Sequence, residues 1–191
     1  LFKGRATQEM ARLPFALLRD MLALRFGIQE SDRAALAREK LEAGVADLLG
    51  PASREQAHFI GHLIGLDFAG SPFLEGIRSD ARQIRDRAFH AIAELFAAVA
   101  AQQPPVILLE DIHWADDSSL DLVDYLAREP LSLPLTIVCP TRPTLFERRP
   151  AWAGEQPRRI QIDVRPLAED DTRALVHEIL RKLPAVPPEL L

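Results

Sequence analysis

Two rhythms divide this chain. Up to Gln102 the apolar residues recur at helical intervals, and beyond Pro105 they gather into short runs separated by turn residues. Leu1–Ala6 reads as a short strand. Phe15, Leu17, Leu18, Met21, Leu22 and Leu24 predict a helix over Pro14–Phe26, with Gly27 as its stop. A second helix is expected from Ser31-Asp32, whose side chains are good caps, to Gly50 before Pro51. A third spans Ser53 to about Ile64, and the segment from Gly65 to Gly76 reads as a loop. Ile84, Ala88, Ile92, Leu95, Phe96 and Val99 then mark one side of a long amphipathic helix over Ser79–Gln102.

After Gln103-Pro104-Pro105 the unbroken run Val106–Leu109 predicts a strand covered by helices on both faces. A helix capped by Asp117 or Ser118 follows, carrying Leu120, Leu122, Val123 and Leu126. Pro130–Pro134 leads into a strand at Leu135–Cys139. This strand, helix, strand unit predicts a right-handed crossover and a parallel α/β sheet. A further strand is expected at Arg159–Val164 and a helix from Glu169 to Lys182.

Two acids, Glu110 and Asp111, emerge at the carboxyl end of the first buried run, and ligands of open parallel sheets bind at that edge. A carboxylate there can hold Mg²⁺ while its neighbour orients a water attacking a terminal phosphate, which is the physical content of a Walker B element. The alternative, a pair of exposed carboxylates ahead of a helix, leaves the apolar run and the Trp-Ala-Asp-Asp that follows unexplained.

Composition narrows the setting. With 191 residues and 48% hydrophobic content the chain can bury a sizeable core, and no apolar run approaches a membrane span. Cys139 is the only cysteine, so an intrachain disulfide is excluded and a cytoplasmic, reducing setting is expected. The net charge of −5 gives no footprint for nucleic acid, so direct nucleic-acid binding by this chain is not expected. No secretory signal is seen. The start at Leu1 and the proline-rich stretch 184–191 suggest an internal piece of a larger protein.

The series Glu110-Asp111-Ile112-His113-Trp114-Ala115-Asp116 with Ser119-Leu120, then Thr141-Arg142-Pro143, then Arg165-Pro166-Leu167, resembles the P-loop ATPase domain of bacterial signalling ATPases of the AAA/STAND type. Those domains accompany nucleotide cyclases and LuxR-type regulators. Phe59-Ile60-Gly61-His62-Leu63-Ile64-Gly65 and Arg82-Gln83-Ile84-Arg85-Asp86-Arg87 look most like the cyclase-linked branch. The resemblance implies a P-loop NTPase-like parallel sheet flanked by helices, with residues 1–183 as a partial ATPase domain. Within it, 14–102 form a helical segment, 103–183 the Walker B and sensor-1 core, and 184–191 a connector.

Carried over by position, the resemblance makes Glu110 the Mg²⁺-associated acid and Asp111 the residue that activates the hydrolytic water. Arg142 falls at the sensor-1 position, where it would feel the terminal phosphate of ATP. The order Glu-Asp departs from the commoner Asp-Glu and shifts reach by about one methylene, which argues against fast hydrolysis. The implied cofactors are ATP and Mg²⁺, and the implied partner is an attached output domain, with a homo-oligomer left open.

One element of that pattern is absent from the sequence. A phosphate loop needs Gly-x-x-x-x-Gly-Lys-Ser/Thr, and the lysines here are Lys3, Lys40 and Lys182, none after a glycine. The resemblance places that loop and its strand upstream of Leu1. The sheet is therefore expected to be incomplete, the chain alone inactive, and ATP hydrolysis a property of the parent protein. The alternative is a nucleotide-independent scaffold of ATPase-like fold.

Elsewhere the ordinary readings prevail. His58 and His62 have metal-ligand spacing, but the general base of a zinc peptidase does not follow His58. Arg78, Arg82, Arg85 and Arg87, mixed with Asp80 and Asp86, read as a solvated helix face. Trp114 is expected to pack on the next helix and Cys139 to be an inert core residue.

Overall fold

The computed structural model describes residues 1–128, 133–152 and 158–181. The chain divides into two compact units, Leu1–Arg158 and Arg159–Leu191.

In the first unit, strand β1 (Phe2–Arg5) lies parallel to β2 (Val106–Glu110), and β2 lies parallel to β3 (Thr136–Val138). The order β1-β2-β3 puts the acid-bearing strand in the middle. Phe2 pairs with Ile107 and Arg5 with Glu110, so Phe2, Gly4, Ile107 and Leu109 share one face. That face is buried under α1 (Ala16–Phe26) and α5 (Asp117–Ala127), which supply Leu17, Met21, Leu122 and Val123. Gly4 is required by this seating. A Cβ there would lie 3.0 Å from Met21 Cβ and 3.2 Å from the Leu17 carbonyl oxygen.

The opposite face differs from expectation. Lys3, Arg5, Val106 and Val138 are exposed and Leu108 is half-buried, so among the described residues the sheet has one covered face, not two. An unbroken apolar run predicts two covering layers but cannot say whether the same stretch of chain provides both.

Helices α2 (Ala34–Leu49), α3 (Arg54–Leu63) and α4 (Ala81–Gln102) build a second mass of core around Leu41, Val45, Ile60, Ile92 and Phe96. Phe96 meets Phe2 edge-on at 4.9 Å and joins this mass to the sheet. Gly61 is needed where α3 passes the Phe68 ring, because a Cβ would run into it. Asp80 caps α4 by accepting from the Gln83 N–H at 2.9 Å. The expected cap for α2 is corrected: the helix begins at Ala34, and Asp32 instead accepts from the Gln29 N–H at 2.8 Å and from Lys40 Nζ at 2.7 Å. Its reach is used to close the preceding turn. A short helix missed in the sequence, α6 (Thr144–Arg148), follows β3.

His58 faces inward while His62 is exposed, so the two imidazoles do not converge. His58 Nδ1 stands 2.7 Å from Ser71 Oγ and Nε2 3.2 Å from Glu42 Oε1, between the rings of Phe68 and Phe73. Ser71 Oγ also accepts from the Phe73 N–H at 3.2 Å, which fixes the hydroxyl beside the ring. Burial pulls the His58 pKa below its ordinary 6.5, against the opposing pull of Glu42. The unfolded chain therefore binds a proton that the folded one refuses. Stability should be flat above about pH 6.5 and fall as pH drops below it, by at most about 1.4 kcal/mol per pH unit for each such group. Urea midpoints at pH 7.5 and 5.5 test this. His58→Gln should shrink the difference, and an unchanged difference would remove His58 as its source.

In the second unit, α7 (Glu169–Leu180) starts with Glu169, Asp170 and Asp171, which suit the positive end of the helix, and Arg173 pairs with Glu169 at 2.6 Å. The strand expected at Arg159–Val164 is corrected, since those residues form no ladder. Their side chains link locally, Arg159 to Gln161 at 3.1 Å and Gln161 to Asp163 at 3.2 Å. Alternation states which face a strand would bury, but pairing needs a neighbouring main chain. The connector expected at 184–191 and part of the Pro130–Pro134 lead-in lie outside the described residues.

Candidate functional site

The sheet delivers Glu110 as the last residue of β2 and Asp111 as the first beyond it, at the carboxyl edge. Asp111 adopts a left-handed backbone, φ 56° and ψ 35°, which short polar side chains tolerate better than most. That turn swings the chain from strand into the single helical turn Ile112–Trp114. The Ile112 N–H donates to the Pro140 carbonyl at 3.3 Å, which ties the turn to the segment leaving β3. Thr141 and Arg142 therefore stand at the same edge, in the loop before α6, with Arg142 exposed.

Both acids have basic neighbours from β1. Lys3 Nζ lies 3.1 Å from Glu110 Oε2, and Arg5 Nε donates to Asp111 Oδ2 at 2.9 Å. Lys3 and Arg5 alternate onto one face of β1, and the Arg5 N–H is itself anchored to Asp20 Oδ2 at 2.8 Å. The carboxylates keep 34% and 36% of their side-chain surface in solvent. Ion pairs so exposed contribute roughly 0–1 kcal/mol and yield readily to a competing charge. Lys3 and Arg5 escaped the sequence reading, although their i, i+2 spacing on a strand beside two acids was visible.

His113 is buried, and among the described residues both of its ring nitrogens lack a hydrogen-bond partner. Burial first, then Arg142 and Arg148, hold its pKa below 6.5 against the attraction of Asp111. Trp114, expected to pack on the next helix, is 37% exposed and tilted against His113 at 5.0 Å.

The helix cap is Asp116, not Asp117 or Ser118. Its Oδ1 accepts from the Ser119 N–H and from the Phe15 N–H, both at 2.9 Å, and Oδ2 accepts from Ser119 Oγ at 2.6 Å. The spacing Asp-x-x-Ser could have shown the cap, but nothing local shows Phe15. From α6, Arg148 Nη2 donates to the Ala115 carbonyl at 2.7 Å and Arg149 Nη2 to Asp121 Oδ1 at 2.8 Å, holding the far side of the turn. Cys139 is partly buried just past β3, where burial pushes its thiol up to about 12, so it stays protonated and unreactive at neutral pH.

Carboxylates at this edge, next to a loop carrying the exposed Arg142, suit chemistry on phosphates, and they define the class as a P-loop NTPase-like α/β domain. Within that class the chain belongs to the AAA ATPase domain family, which matches residues 2–138. An uncharacterized protein of Rhizobium meliloti (strain 1021) is 33% identical over 98 residues, 51% of this chain and 9% of that protein. The chain thus corresponds to about 9% of that relative's length. No solved structure matches. Among the described residues, no helix is long and apolar enough to cross a membrane.

Proposed function

We propose that this chain is the core of an ATP-dependent regulatory switch in a multidomain signalling protein, of the cyclase-linked or LuxR-type kind, whose phosphate loop is supplied by sequence upstream. The observation that carries this reading is the pair formed by Glu110, last residue of the middle strand of a parallel sheet, and Asp111 just beyond it, at the carboxyl edge and partly open to solvent.

The residues present fit ATP and Mg²⁺. Two carboxylates are the hard oxygen donors Mg²⁺ prefers, and their weak pairing with Lys3 and Arg5 leaves them available. Bound there, Mg²⁺ would neutralise charge on the phosphates during transfer to water. Glu110 would hold the metal, Asp111 would orient the attacking water, and Arg142 would contact the terminal phosphate through charge-assisted hydrogen bonds. Loss of that contact after hydrolysis would free the loop behind β3, and an attached output domain would respond.

The test uses the parent protein. Glu110→Gln should weaken Mg²⁺-dependent ATP binding about tenfold, roughly 1.4 kcal/mol, measured by calorimetry with and without Mg²⁺. The isolated chain should not hydrolyse ATP, and turnover by it that Glu110→Gln abolishes would overturn the division of labour. A second reading, a nucleotide-independent scaffold, draws on the fact that both acids already have basic partners. An upstream sequence without Gly-Lys-Ser/Thr, together with no ATP binding by the parent, would favour it.

A further inference from the structure

His113 stands out among the polar groups of the described residues. It is 7% exposed, and neither Nδ1 nor Nε2 has a partner. An imidazole always has at least one N–H to give, and leaving it unmade away from water is costly. The residue two positions earlier is also in an uncommon state, because Asp111 holds a left-handed backbone. Both lie in one short turn, held at the main chain by Ile112 to Pro140 at 3.3 Å, Trp114 to Asp111 at 2.9 Å and Ala115 to Ile112 at 2.9 Å.

Charge around the ring is uneven. Arg142 and Arg148 are near enough to disfavour its protonation, while Asp111 pulls the other way with its carboxylate already engaged by Arg5. Arg148 is committed to the Ala115 carbonyl at 2.7 Å, which leaves the exposed Arg142 to attract an anion to which the buried imidazole N–H could donate. Among the described residues, no side chain or main-chain carbonyl fills that role for either nitrogen.

We propose that His113 reads phosphate occupancy of the site: its N–H finds the missing partner in the terminal phosphate gathered by Arg142, and the turn Asp111–Trp114 shifts to make that contact. The inference rests on the ATPase reading above and adds to it the moving part. His113 is a positioning residue for Asp111, because both ride on the same turn and a change at one resets the other. It also separates ATP from ADP by a contact made in only one of the two states.

Two measurements on the parent protein test it. Calorimetry with MgATP and MgADP should show the preference for MgATP falling about tenfold in His113→Phe, roughly 1.4 kcal/mol, with MgADP affinity unchanged. His113→Gln, which keeps a donor and an acceptor, should recover part of the preference. Hydrogen exchange over residues 111–115 should slow with a non-hydrolysable MgATP analogue and not with MgADP. If His113→Phe binds MgADP and keeps the wild-type preference, or if wild-type exchange is the same with both nucleotides, the inference is overturned while the ATPase reading stands. If Glu110→Gln leaves nucleotide binding untouched, or the wild type binds neither nucleotide, the ATPase reading fails and takes this inference with it.

Discussion

Asp116→Ala should lower the stability of the first unit by about 3 kcal/mol, the sum of a lost helix cap and a buried N–H left without an acceptor. The carboxylate is 4% exposed and takes three hydrogen bonds, two from α5 and one from the main chain of Phe15. Asp116→Asn keeps one side-chain oxygen for the two amide donors and should cost distinctly less. Urea denaturation at neutral pH measures both, and a loss below about 1 kcal/mol for the alanine variant would show that the surrounding chain re-satisfies those donors.

Asp111→Asn should cut ATP turnover by the parent protein roughly 100-fold or more, the scale of a positioned proton acceptor, while nucleotide binding changes little. Asparagine tolerates the left-handed backbone as aspartate does, so the turn is retained and the loss reports on the carboxylate itself. Steady-state kcat set beside the calorimetric Kd separates the two effects. Turnover within threefold of wild type would remove Asp111 from the chemistry and leave it a partner for Arg5 alone.

What the sequence disclosed depended on how local the cause was. Strand β2 was legible because its apolar run is bounded by prolines before and by two acids after, and both boundaries act within a few residues. Helices α1, α2, α3 and α4 were legible from their apolar spacing, with ends shifted by a residue or two. The cap of α5 was misplaced because Asp116, Asp117 and Ser118 offer equivalent chemistry, and the choice is settled by the Phe15 N–H, 101 residues away. The same distance in sequence hid Lys3 and Arg5, which meet the acids only once β1 pairs with β2. Arg159–Val164 has the alternation of a strand without a ladder, and Val106 and Val138 have the hydrophobicity of buried residues without a cover among the described residues. Pattern expresses a demand for a neighbour and is silent about whether the same stretch of chain meets it. The family match shows the ATPase domain, while the roles proposed for Glu110, Asp111 and Arg142 rest on their position at the sheet edge.

The close fit of Gly4 against α1 also fixes the main chain that carries the two basic partners of the acids. With β1 clamped at that point, Lys3 and Arg5 can leave the acids only by swinging about their own side-chain bonds, and such swings in solvent-facing residues take picoseconds to nanoseconds. In the ATPase cycle proposed above, clearing the two carboxylates would then need side-chain rotation alone.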